Sequence, residues 1–158
     1  MAAGSKIIFF SIALSLTFSF SSCNKSNDVI PDVYVDFNLD ILDPRFVDLS
    51  AIGGTVMVDS KTNNQPYSGG YDDNGIIIHA GVNEFFAYDR TCPHDYVLKA
   101  LSIKVNIDPS NSLNAICPQC STYYSLPAGG TPFKGKGQYP LKNYKTSFDG
   151  RFVRVWNY

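Results

Sequence analysis

Three thiols and one imidazole fall in two short stretches, Cys92-Pro93-His94 and Cys117-Pro118-Gln119-Cys120. Thiolate sulfur and imidazole nitrogen together suit a tetrahedral zinc ion. Thiolates also hold iron–sulfur clusters. The two-residue gap between Cys117 and Cys120 bends the chain so that both sulfurs face one centre. Pro93 and Pro118 stiffen the two turns and reduce the freedom lost when a site forms. Spacing alone leaves zinc and iron–sulfur open. A Cys117–Cys120 disulfide is a third reading, and it leaves Cys92 and His94 without a role.

The fourth cysteine, Cys23, belongs to a different feature. Lys6 precedes a nearly unbroken apolar run from Ile7 to Phe20. A basic start followed by an apolar stretch of this length reads as a secretory signal. It is short and serine-rich for a membrane span of about 20 residues. The run ends in Phe20-Ser21-Ser22-Cys23, which resembles the lipobox of bacterial lipoproteins, with Phe20 where leucine is usual. The expectation is a signal peptide over 1–22, a lipid-modified Cys23 and a polar tether over 23–31. Acyl chains at Cys23 would hold the protein on a membrane, at about 0.8 kcal/mol per buried CH₂. Asn24, rather than Asp, follows Cys23 and points to the outer membrane of a bacterial envelope by analogy with lipoprotein sorting. With Cys23 lipidated, three thiols remain, an odd number that no set of disulfides within one chain satisfies.

Removing Lys6 with the signal leaves 12 basic against 14 acidic residues, a net charge of −2. No basic stripe is present, so nucleic acid is not an expected partner. The ten Tyr, eleven Phe, twelve Gly and nine Pro favour strands and turns over helices. Residues 32–158 are long enough for one domain with its own core.

The two donor stretches need elements to position them. Alternating or apolar segments over 33–41, 54–60, 76–79, 84–90, 101–107, 112–117, 121–126 and 144–148 read as short strands. Asp149-Gly150 is a hairpin signal before the last strand. Asp73-Asn74-Gly75 and Gly53-Gly54 read as turns, and 129–137 as a turn-rich loop. A helix over 94–105 stays open on the Val97, Leu98 and Leu101 spacing. His79, inside an apolar strand, reads as an ordinary strand residue. Asp40, Asp43, Asp72 and Asp73 read as solvated turn charges. No carboxylate pair suggests acid–base catalysis.

The surroundings of the thiols resemble the Rieske family. AYDRTCPH, 87–94, is similar to its first cluster-binding loop, and AICPQCSTYYSL, 115–126, to its second. GKGQYPLKNYKTSFDGRFVRV, 135–155, resembles the stretch after its proline loop. VYVDFNLDILDPRFVDLSAIGGTVMV, 33–58, resembles its opening strands, so the likeness covers almost everything from residue 32 onward. It implies an all-β fold, an antiparallel barrel or sandwich with a small cluster-binding subdomain over about 85–132.

The resemblance also implies a [2Fe–2S] cluster. By position, Cys92 and Cys117 match the thiolates of the inner iron and His94 one imidazole of the outer iron. Cys120 stands where the second imidazole belongs. Ser121 replaces a glycine, and Asp95-Tyr96 an apolar-Gly pair. Thr122 and Tyr124 match hydroxyls that donate to the cluster and its ligand sulfurs. The implied activity is one-electron transfer between unidentified partner proteins, with any catalysis belonging to a partner. The alternatives are a Rieske scaffold without a cluster, serving as a binding or structural module, and a zinc-stabilised lipoprotein.

Overall fold

The computed structural model describes residues 28–158, so the expected signal peptide and Cys23 lie outside the described residues. Among the described residues ten strands form two antiparallel sheets. The larger, in spatial order β1 (Asp36–Asp40), β10 (Phe152–Trp156), β9 (Asn143–Phe148), β4 (Phe85–Asp89), β3 (Ile76–Ala80), β2 (Thr55–Val58), is the base. The smaller runs β5 (Asn106–Asp108), β6 (Asn111–Ile116), β7 (Tyr123–Ser125), β8 (Thr131–Lys134). One short helix, α1 (Pro93–Lys99), follows β4.

Period-two alternation builds the first core. Phe37 and Leu39 of β1 stand opposite Val155 and Val153 of β10, and all four are buried. The hairpin between β9 and β10 turns at Asp149-Gly150, where the Asp149 carboxylate accepts the backbone N–H groups of Arg151 and Phe152.

Strand β3 is buried along its whole length. Ile76 and Ile78 face the first core, while Ile77 faces a second with Tyr88, Cys92, Cys117, Tyr124 and Leu126. Apolar residues on both faces are what a strand between two layers requires. This strand is the wall on which the thiol-bearing sheet rests. His79 is buried in it, with Nδ1 2.8 Å from the Thr55 hydroxyl, as a strand residue would be.

Two segments differ from the sequence expectation. Residues 129–134 are not all loop, because Gly129 and Gly130, both at positive φ, reverse the chain and let Thr131–Lys134 pair with β7. Pro132 is tolerated there because β8 is an edge strand. The expected strand over 101–107 is mostly an irregular strap. It bonds to the end of β4 through Val105 N–H to Arg90 O (2.7 Å) and Cys92 N–H to Ile103 O (2.8 Å), and becomes regular only at Asn106.

The chain's first described residues dock on the domain. Ile30 is buried, and the buried Lys142 ammonium donates to Asp28 (2.7 Å), Asp32 (2.8 Å) and the Ile30 carbonyl (3.1 Å). Residues 28–31 of the expected tether therefore pack against β9's approach.

Candidate metal centre

Two connections deliver the thiols. The first is the step from β4 into α1. Cys92 is the N-cap residue in extended conformation, and Pro93 opens the helix where its missing N–H costs nothing. The Asp89 carboxylate, fully buried, accepts from Thr91 N–H (2.8 Å), Tyr71 N–H (2.7 Å) and the Tyr144 hydroxyl (2.7 Å). Asn74 donates to both the Thr91 and Ser102 hydroxyls at 2.7 Å, so the strand and the strap on either side of Cys92 are tied together. The turn residue Asn74 and the strand-end Asp89 thus brace the site. Their polar side chains at full burial are the only mark of that role, and burial is not written in the sequence.

The second connection is the knuckle between β6 and β7. Cys117 N–H donates to Thr122 O (2.9 Å), and Ser121 N–H returns to Cys117 O (3.0 Å). Ser121 takes a positive φ of 54° to close this turn. That explains why the resembled family carries glycine here.

The three thiols meet. Cys92 and Cys117 are fully buried, Cys120 partly exposed, and all three are free, so the Cys117–Cys120 disulfide does not form. Cys92 Sγ lies 3.6 Å from Cys120 Sγ. The Asp95 carboxylate joins them: its Oδ2 accepts from Cys117 Sγ at 3.1 Å, and one donor atom from each of the four residues lies within 4.8 Å of every other.

His94 is not in that group. It is half-buried on α1 and lines a small hollow with Val97, Leu98, Lys136, Gln138 and Tyr139. The cause is helical geometry. From Cys92, two residues advance the chain about 200° around the helix and three advance it about 300°, so Asp95 shares the face of Cys92 and His94 does not. Sequence reasoning passed over Asp95. Its signal was the matching pair Cys92-Pro-His-Asp95 and Cys117-Pro-Gln-Cys120.

Two hydroxyls lie beside the sulfurs. Tyr124 OH lies 3.4 Å from Cys92 Sγ, and Thr122 Oγ1 lies 3.2 Å from Cys120 Sγ while accepting Gly137 N–H at 2.8 Å. Both residues are fully buried. Gly137 has to be small, since a Cβ there would sit 2.5 Å from Thr122 Cγ2.

The charges divide unequally. A hydrogen bond from Cys117 draws the Cys92 thiol down to about 6 against the effect of burial, with help from Tyr124. The same bond, together with burial, pushes Cys117 up. Burial, then the neighbouring Cys92, pushes Tyr124 up, so its phenol stays protonated as a donor. Burial opposes the charge on Asp95, but the three thiols and Lys99 outweigh it and hold its carboxyl low. The arrangement is a sulfur-rich, partly charged nest with the Tyr124 and Thr122 hydroxyls beside it, Thr122 Oγ1 accepting from the Cys120 thiol. Such a donor set fits zinc or an iron–sulfur centre.

No protein-family model matches the chain, and no curated protein matches it. Among solved structures the chain is similar to a ferredoxin of Sphingomonas yanoikuyae B1, at 16% identity and a TM-score of 0.45 over 68% of this chain and 89% of that one. It is similar to a plasma-membrane Rieske protein of Synechocystis PCC 6803, at 18% identity and a TM-score of 0.43 over 63% of this chain and 97% of that one. It is also similar to the ferredoxin of carbazole 1,9a-dioxygenase from Nocardioides aromaticivorans IC177, at 14% identity and a TM-score of 0.42 over 68% and 88%. The plan of the molecule itself, a base sheet bearing a smaller sheet with thiols in its connections, is the one the sequence resemblance implies. The fold is all-β, built of two antiparallel sheets.

Proposed function

We propose that the protein is a one-electron carrier of a bacterial cell envelope, lipid-anchored through Cys23 and holding a [2Fe–2S] cluster on Cys92, Cys117 and Cys120. The observation that carries this reading is the convergence of three thiols with two buried hydroxyls beside their sulfurs. When bound, such a cluster takes up and releases one electron. The thiolates would hold it, and Cys120, the one partly exposed thiol, would mark the side from which an electron enters or leaves. Tyr124 and Thr122 would stabilise the added charge by hydrogen bonding to sulfur. By the sequence resemblance the fourth ligand is His94.

One feature supports a second reading, a single structural zinc ion. Zinc–sulfur bonds of about 2.3 Å put tetrahedral neighbours about 3.8 Å apart, comparable to the 3.6 Å between Cys92 and Cys120 sulfurs. Anaerobic purification separates the two. Reddish-brown protein with equal iron and sulfide and an EPR signal on reduction supports the carrier. Colourless protein with one zinc and no iron overturns it in favour of the structural ion. Colourless protein with neither metal leaves a scaffold only and defeats both. The anchor has its own test: labelled fatty acid should appear on the wild type and vanish in Cys23→Ala, which should also keep an uncleaved signal.

A further inference from the structure

We infer that Asp95, rather than His94, supplies the fourth ligand of this metal centre, giving a donor set of three thiolates and one carboxylate. The inference rests on the reading that the thiols hold a metal, and it applies to iron or zinc alike.

Three observations carry it. The first is position. A donor atom of Asp95 lies within 4.8 Å of all three sulfurs, and no His94 atom belongs to that group. The second is burial. Asp95 has no exposed side-chain surface, although it stands in the first turn of a seven-residue helix. A carboxylate that served only the helix dipole would do so at the surface, in water. A capping-box acid at this position would reach back to the N-cap N–H, but the Cys92 N–H is given to Ile103 O at 2.8 Å. The Asp95 oxygens instead take Cys117 Sγ at 3.1 Å and, more distantly, Lys99 Nζ at 3.5 Å. Weakly donating thiols and one long ion pair are modest compensation for a buried carboxylate, whereas a metal cation would supply it fully. The third is symmetry of design. Cys92-Pro-His-Asp95 and Cys117-Pro-Gln-Cys120 each open on Cys-Pro and place a second donor three residues on. One knuckle closes on sulfur and the other on oxygen.

His94 is then free for its actual surroundings, the hollow it lines with Lys136 and Tyr139. A carboxylate in place of a neutral imidazole also adds one negative charge to the ligand set. A centre so charged resists reduction more than one closed by histidine.

The test uses the full chain, in detergent and under anaerobic conditions. It is loaded with iron and sulfide, or with Zn(II), and carried as wild type, Asp95→Asn, Asp95→Cys and His94→Asn. Bound imidazole is read directly, by nitrogen hyperfine coupling in the iron form and by ring scattering in X-ray absorption of either form. The expected result is metal-loaded wild type without an imidazole signature and His94→Asn with undiminished metal. Asp95→Asn should bind Zn(II) at least tenfold more weakly in chelator competition, and Asp95→Cys should restore tight binding. That rescue distinguishes a ligand from a residue that merely shapes the helix, and it decides the matter if Asp95→Asn folds poorly. An imidazole signature in the wild type that His94→Asn abolishes overturns the inference and leaves the proposed function standing. So does Asp95→Asn binding Zn(II) as tightly as the wild type. A wild type that takes up neither metal overturns the function reading itself, and the inference with it.

Discussion

The Tyr124 hydroxyl lies 3.4 Å from the Cys92 sulfur, with both residues fully buried and Tyr124 held protonated by burial and by its thiol neighbour. A phenol so placed donates to sulfur whatever the sulfur binds. In the iron-loaded protein Tyr124→Phe should leave the centre in place and lower its potential. Loss of one hydrogen bond to a charged group, about 1.5–3 kcal/mol, corresponds to about 65–130 mV for one electron. Protein-film voltammetry checks it, and an unchanged potential would remove Tyr124 from the electronics of the site.

Gly137 and Thr122 make a second, linked prediction. Gly137→Ala drives a Cβ to 2.5 Å from Thr122 Cγ2 and 3.0 Å from its Oγ1. The buried Thr122 has to move, and overpacking of this kind costs about 1–3 kcal/mol. The variant should melt earlier than wild type and share the lowered potential expected of Thr122→Ala, since both break the contact with Cys120. A potential that falls only in Thr122→Ala would show that the 135–137 loop yields instead.

Ser121 is exposed, makes no side-chain hydrogen bond and holds φ at 54°. The left-handed conformation costs a non-glycine residue about 1–2 kcal/mol, part of which glycine loses to the entropy of its unfolded chain. Ser121→Gly should therefore stabilise the protein by about 0.5–1 kcal/mol, visible as a small rise in melting temperature. A lower melting temperature would contradict the strain argument.

His79 sets an acid limit. Burial lowers its pKa, so the folded protein keeps the ring neutral where the unfolded chain begins to protonate it, near pH 6.5. Below that pH the unfolded state binds more protons, and stability falls as pH falls until the folded-state pKa is reached. His79→Gln, which keeps a partner for Thr55, should lose up to about 1 kcal/mol less than wild type between pH 6.5 and 5.5. Urea midpoints at the two pH values measure it; equal losses in both proteins would clear His79.

Lys142 fastens the start of the domain through Asp28, Asp32 and Ile30. Lys142→Met should release that segment, at a cost of about 1–3 kcal/mol for the lost charged hydrogen bonds. Hydrogen exchange and proteolysis should accelerate at 28–32 before they change in the strands. Uniform behaviour along the chain would mean the segment is held by Ile30 alone.

Much of the fold was legible in the chain. The alternation of Phe37, Leu39, Val153 and Val155, the Asp149-Gly150 turn and the apolar run of β3 specify strands through a period of two. The odd thiol count after Cys23, together with the Cys-Pro knuckles, singled out Cys92, Cys117 and Cys120 as one set, because thiols need partners and the x₂ gap supplies a shared face. Strand β8 was hidden, since two glycines and a proline read as loop until Gly129 and Gly130 turn Thr131–Lys134 onto β7.

The sequence resemblance set His94 beside the three thiols, whereas the structure brings Asp95 into their group. His94 and Asp95 are neighbours in the chain, and in an extended or looped segment either can reach the sulfurs. The helical start at Pro93, with the Cys92 N–H held by Ile103 O, separates them by about 100° and brings Asp95 to the thiols. Residue type marked the three thiols as candidate ligands. Backbone conformation, a product of long-range contacts, decided which donors face one another.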